Sequence, residues 1–187
     1  NCFEKGSIIE IIENSGGLVV VDEAYYEFSG KTFQGKIERY GNLAILRTFS
    51  KAFSLAGLRA GYIMRNNILM KELRKVQLPY NVSIVNQELL QTVMRERESI
   101  KPVIERLNRS REKLYEELEN LDGITPYPSR ANYILMKIEN IDKVLKNLKK
   151  QNIKVREFSN PKLKNFLRVT VGTEEENENF LKALEEG

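Results

Sequence analysis

The chain has 187 residues, 30% of them charged, a net charge of +4, one cysteine and no histidine. Without histidine there is no Ser-His-Asp triad, no usual neutral-pH base and no imidazole metal ligand, so acid–base chemistry must fall to lysine, carboxylate or tyrosine. Acidic and basic residues interleave without a basic stripe carrying aromatics, which argues against a nucleic-acid partner; no apolar run reaches the length of a membrane span, and the first residues lack a signal-peptide pattern. Cys2 alone excludes an internal disulfide and suits a reducing cytoplasm.

In chain order, apolar spacing predicts a helix over residues 7–14, ended by Gly16 and Gly17. Residues 18–21 form a continuous apolar run into Asp22, the mark of a strand covered on both faces in a parallel sheet, whose carboxyl end is where ligands collect. A turn-rich stretch at 29–34 leads to a strand at 43–46 that runs into Arg47 and Thr48, and a further strand is expected over 59–64. An amphipathic helix over 67–77 turns Leu69, Met70, Leu73 and Val76 inward and breaks at Pro79–Asn81. Ser83 caps a helix over 84–97, and Ser99 caps a longer one with Pro102 in its first turn. Val103, Leu107, Leu114, Leu118 and Leu121 recur along that helix at core spacing.

After the turn at Asp122 and Gly123 the elements become short. Strands are expected over 133–138, 153–156 and 166–171, with a Lys-rich helix over 142–151. Thr173 and Glu176 form a capping box for a last helix that buries Phe180, Leu181 and Leu184. Length allows one core with a smaller satellite. The expected class is α/β: residues 1–98 hold a mostly parallel sheet with helices, and 99–187 form a small α+β domain entered by the long helix.

The polar residues concentrate on the connection within residues 47–62, R-T-F-S-K-A-F-S-L-A-G-L-R-A-G-Y. A lysine held there by strands on either side is reachable from the sheet edge, which makes Lys51 the candidate for covalent chemistry. Together with V-V-V-D-E-A-Y-Y at residues 19–26, this stretch resembles the fold-type I pyridoxal-phosphate aminotransferases, and most of all their histidinol-phosphate aminotransferase group.

The resemblance covers residues 17–184 and implies a pyridoxal 5'-phosphate cofactor joined to Lys51 as a Schiff base. It implies that Asp22 keeps the pyridine nitrogen protonated, that Tyr25 bonds the cofactor's phenolic oxygen, and that Thr48, Ser50 and Arg59 hold its phosphate. Were such a lysine buried beside the cationic Arg59, its pKa would be lowered; sequence alone does not show burial. In F-L-R-V-T-V-G-T, Arg168 matches the anion-binding arginine, and in S-R-A-N-Y, Asn132 is a weaker substrate contact and Arg130 weaker still. A second anion-binding arginine is not recognisable in E-E-E-N-E-N-F. Tyr26 reads as an ordinary half-buried tyrosine, and Gly57 and Gly61 as turn and close-approach positions.

The family's chain is about twice as long, so the resemblance implies that this is its C-terminal half, part of a homodimer moving an amino group between histidinol phosphate and 2-oxoglutarate. The glycine-containing phosphate turn, the stacking aromatic, the asparagine beside Asp22 and the partner's tyrosine lie outside the sequence, so the piece alone is expected to be inactive. Alternatives are an aromatic amino acid aminotransferase, a threonine-phosphate decarboxylase relative, and a non-catalytic regulatory module of the same fold.

Overall fold

The computed structural model describes residues 2–185, in two compact units, Cys2–Pro102 and one that begins at Val103. In the first, α1 (Lys5–Asn14) buries Ile12. The expected glycine cap is not used. Ser15 ends the helix in an extended conformation, φ −82° and ψ 125°, with its N–H bonded to the Ile11 carbonyl, so no left-handed residue is needed.

Strand β1 (Val19–Asp22) pairs in parallel with β2 (Leu43–Thr48), Asp22 opposite Leu46. The connection carries the four-residue α2 (Tyr26–Ser29) and a 3-10 turn, Gln34–Lys36. Strand β3 (Gly61–Arg65) returns antiparallel to β2, giving the order β1-β2-β3. A Cβ on Gly61 would lie 2.6 Å from the Arg47 carbonyl oxygen, so this crossing requires glycine.

On one face, Val19, Val21, Leu43, Ile45 and Met64 pack with Ile12, Phe33, Ile37 and Tyr40. The other face departs from the expectation of a strand covered twice. Val20 is 47% and Leu46 38% exposed there, although Ala44 and Arg65, which share that face, are buried.

Asn66 caps α3 (Asn67–Val76) by accepting from the Leu69 N–H, and its amide donates to the Gly41 carbonyl. Val76, expected inward, is exposed at the helix end. Ser83 caps α4 (Ile84–Arg95) as predicted, and Leu90 joins a cluster with Phe49 and Ala60. The helix stops at Arg95, and a 3-10 turn, Arg97–Ile100, follows. Ser99 lies inside that turn and its hydroxyl donates back to the Glu96 carbonyl at 2.8 Å, so it does not cap α5 (Lys101–Glu119).

In the second unit, β4 (Ile124–Tyr127), β5 (Tyr133–Ile138), α6 (Ile141–Lys150), β6 (Arg156–Glu157), β7 (Phe166–Thr170) and α7 (Glu174–Glu185) follow α5. The sheet order is β4-β5-β7-β6, antiparallel throughout. Strand β4 was not expected because Pro126 interrupts it, a residue that an edge strand tolerates. Leu114 and Leu118 of α5 meet Ile134, Met136, Leu167 and Val169 of the sheet and Val144, Leu148, Phe180 and Leu184 of α6 and α7. Val103, at the head of α5, is half exposed rather than core. The capping box forms: the Glu176 N–H donates to Thr173 Oγ1 at 3.2 Å, and the Thr173 N–H to Glu176 Oε2 at 2.8 Å.

Candidate functional site

Parallel pairing brings the carboxyl ends of β1 and β2 to one edge, and the register puts Asp22 and Thr48 on the face shared by Val20 and Leu46. Asp22 is exposed, and its Oδ1 accepts from the Ala24 N–H at 2.9 Å, so one carboxylate oxygen caps the turn. Thr48 Oγ1 accepts from the Ser50 N–H at 3.1 Å and donates to the Ala60 carbonyl at 3.5 Å, drawing together the two ends of the loop at residues 49–60. Within this loop Ser54 and Arg59 have φ of 56° and 51°. Left-handed non-glycine residues cost on the order of 1–3 kcal/mol each and concentrate at functional sites. Arg59 Nη1 donates to the Ala56 carbonyl at 3.2 Å.

Lys51 Nζ lies 5.8 Å from the centre of the half-buried Tyr25 ring. Lys51 and Arg59 are both exposed. Close approach at Gly61 is as expected, whereas Gly57 has open space around it.

Beneath these residues lies a pair not singled out in the sequence. Glu23 and Arg47 are 7% and 8% exposed. Glu23 Oε2 accepts from Arg47 Nε at 3.1 Å, Arg47 Nη2 at 2.9 Å and Thr32 Oγ1 at 2.8 Å, while Oε1 accepts from the Phe33 N–H at 2.7 Å. The guanidinium also lies 3.5 Å over the Tyr26 ring. Burial alone would lower the Arg47 pKa, but the hydrogen bonds to Glu23 and Tyr62 outweigh it and raise it. The pair ties the residue after Asp22 to the residue before Thr48. Its only trace in the sequence is an arginine at an inward position of an otherwise apolar strand.

In the second unit, Arg168 on β7 stands opposite Leu135 of β5 and Arg156 of β6. Its guanidinium lies 4.6 Å from the centre of the Tyr133 ring. Among the described residues neither arginine has a carboxylate partner, and like charges directly opposite are unfavourable unless an anion joins them. Arg156 was not predicted as a site residue; its pairing depends on a strand register that sequence spacing cannot supply. Asn132 is half-buried ahead of β5, its carbonyl accepting from the Val171 N–H at 3.0 Å. The neighbouring Ala131 carbonyl accepts from the buried Arg111, whose pKa burial lowers. Arg130 is exposed.

The donor set fits a phosphorylated aldehyde cofactor. Two hydroxyls and a guanidinium suit a dianionic phosphate, the same loop carries an amine for attachment, and a carboxylate lies at the adjacent strand end.

Residues 5–184 match the family described as Aminotransferase class I and II. The chain is 44% identical over 185 residues to histidinol-phosphate aminotransferase from Caldanaerobacter subterraneus subsp. tengcongensis, covering 98% of this chain and 52% of that protein. Among solved structures it is similar to histidinol-phosphate aminotransferase from Clostridium acetobutylicum, with a TM-score of 0.88 at 27% identity, over 98% of this chain and 58% of that one. It is also similar to L-threonine-O-3-phosphate decarboxylase from Porphyromonas gingivalis, with a TM-score of 0.85 at 25% identity, over 98% and 59%. The mixed α/β architecture is that of fold-type I enzymes. The chain belongs to the class I and II aminotransferase family, and it spans about half the length of the curated relatives it matches.

Proposed function

We propose that this chain carries the covalent lysine and the substrate-anion site of a pyridoxal-phosphate aminotransferase that moves an amino group between histidinol phosphate and 2-oxoglutarate in histidine biosynthesis. The observation that carries the reading is the gathering of Asp22, Tyr25, Thr48 and Lys51 at the carboxyl edge of two parallel strands. In this reading residues 1–98 belong to the cofactor-binding domain and 99–187 form the small domain. The complete protein works as a cytoplasmic homodimer, with a small amino donor and a 2-oxo acid as its substrates and no nucleic acid or membrane as a partner.

When bound, the cofactor supplies an electron sink for the carbanion that forms as the substrate loses its proton. Thr48, Ser50 and Arg59 would hold its phosphate with charge-assisted hydrogen bonds. Asp22 would keep the ring nitrogen protonated, and Tyr25 would donate to the phenolic oxygen. Lys51 Nζ would be the point of covalent attachment, and as a free amine it would take the proton from the amine-bearing carbon of the substrate, doing the work a histidine would otherwise do. Arg168, with Arg156 opposite, takes the substrate phosphate or carboxylate, and Asn132 is a further substrate contact.

Borohydride reduction of the complete protein followed by peptide mapping is expected to place the pyridoxyl group on Lys51. Label on another lysine removes the assignment. A second reading, decarboxylation of an amino acid phosphate, is favoured by the likeness to the P. gingivalis enzyme. Release of carbon dioxide in place of amino transfer distinguishes it.

A further inference from the structure

The buried pair behind the strand edge stands in a close chain relationship to the site. Glu23 follows Asp22, Tyr26 follows Tyr25, and Arg47 precedes Thr48, so three of the residues gathered at the edge are each the immediate neighbour of a residue in one network. Successive residues of a strand point to opposite faces. Arg47 therefore shares with Leu43 and Ile45 the face on which α1 packs, with Tyr62 opposite it on β3, while Thr48 shares the other face with Leu46. The network also holds the connection between β1 and β2. Thr32 Oγ1 donates to Glu23 Oε2 and accepts from Arg47 Nη2 at 2.8 Å and from the Gln34 N–H at 3.0 Å, and Gln34 Oε1 accepts from Arg47 Nη2 at 3.4 Å. Apolar side chains of similar volume commonly stabilise a fold as well as a buried ion pair does, so what such a network adds is geometry.

We infer that Glu23 and Arg47 are positioning residues: from the packed face of the sheet they fix Asp22 and Thr48 relative to each other, and Tyr25 through the Tyr26 ring seated under the guanidinium, and so set the geometry that the cofactor meets. A site of this kind works only when its contacts are held by locked neighbours. The choice of ligand rests on the aminotransferase reading; the positioning rests on the network and the strand register. Two bonds on the site side report it, from the Ala24 N–H to Asp22 Oδ1 and from the Ser50 N–H to Thr48 Oγ1, because each closes only while Asp22 or Thr48 keeps its place.

The test uses the complete protein with Arg47→Met, with Glu23→Gln and Arg47→Met combined, and with Leu118→Ala as a control in the core of the second unit. Arg47→Met leaves the Glu23 carboxylate buried without its cation and is expected to lower the urea midpoint. In the double variant the amide keeps an acceptor for the Phe33 N–H and a donor for Thr32, and no buried charge is left alone, so the midpoint is expected to return towards that of the wild type. The strand ends remain unclamped. Hydrogen exchange at the Ala24 and Ser50 amides, read by fragment-resolved mass spectrometry, is expected to be roughly tenfold faster or more in both network variants, and affinity for pyridoxal 5'-phosphate in an absorbance titration is expected to fall by a similar factor. Leu118→Ala is expected to lower the midpoint and leave both readouts unchanged. Exchange that recovers along with the midpoint in the double variant, or that Leu118→Ala changes as much as Arg47→Met does, makes the pair structural only and overturns the inference. None of these readouts involves turnover. Exchange that responds in a protein taking up no pyridoxal phosphate removes the aminotransferase reading alone, and tight uptake with exchange indifferent to Arg47 removes this inference alone.

Discussion

Removing the Glu23 carboxylate leaves Arg47 buried beneath Tyr26 with its main partner gone. Glu23→Ala is therefore expected to cost about 3–5 kcal/mol, the usual range for breaking a buried pair from one side, read as a fall in the urea midpoint. Glu23→Gln, which keeps the size and one acceptor, should cost less. Arg168→Lys exchanges a fork for a point charge, so each half-reaction of the complete protein should lose roughly 1.5–3 kcal/mol, measured by single-turnover kinetics with glutamate and with histidinol phosphate. If only the glutamate step responds, the histidinol-phosphate assignment falls. That Asp22 and Thr48 end neighbouring strands, with Ser50, Lys51 and Arg59 on the loop that follows, was legible because these residues occupy short segments whose spacing is local; the roles proposed for them rest on the resemblance. Arg156 and the Glu23–Arg47 pair were not, because their partners are fixed by strand register.

At the scale of elements, patterns that close within one turn were legible, such as the Ser83 cap and the box of Thr173 and Glu176. Those that depend on what lies alongside were not. A central strand would reject Pro126, but β4 is an edge; Ser99 has capping chemistry, but the chain around it is already turning. The closeness of β2 and β3 has the same origin, since it is set by the Gly61 backbone against the Arg47 carbonyl. Gly61→Ala must push the strands apart or bend them, moving Thr48 relative to Ala60. The expected outcome is a lower thermal midpoint together with weaker cofactor binding by the complete protein; an unchanged midpoint would show that the crossing has slack.

For the whole chain, the open face beside Asp22 and the exposure of Lys51 predict that this polypeptide alone does not bind pyridoxal phosphate tightly. Stoichiometric, tight binding in an absorbance titration would overturn that prediction. The antiparallel return of β3 has a kinetic consequence as well. Strands β2 and β3 are joined by residues 49–60, whereas the parallel pairing of β1 with β2 must wait for the longer connection at residues 23–42 to close. Shorter closure costs less chain entropy, so the β2–β3 ribbon should form first, carrying Thr48, Ser50, Lys51 and Arg59 already in order. In stopped-flow chevrons, Met64→Ala should slow refolding, while Val21→Ala should mainly speed unfolding. The loop assigned to phosphate would then be a piece of the folding nucleus, and selection on the ligand and on the rate of folding would fall on the same residues.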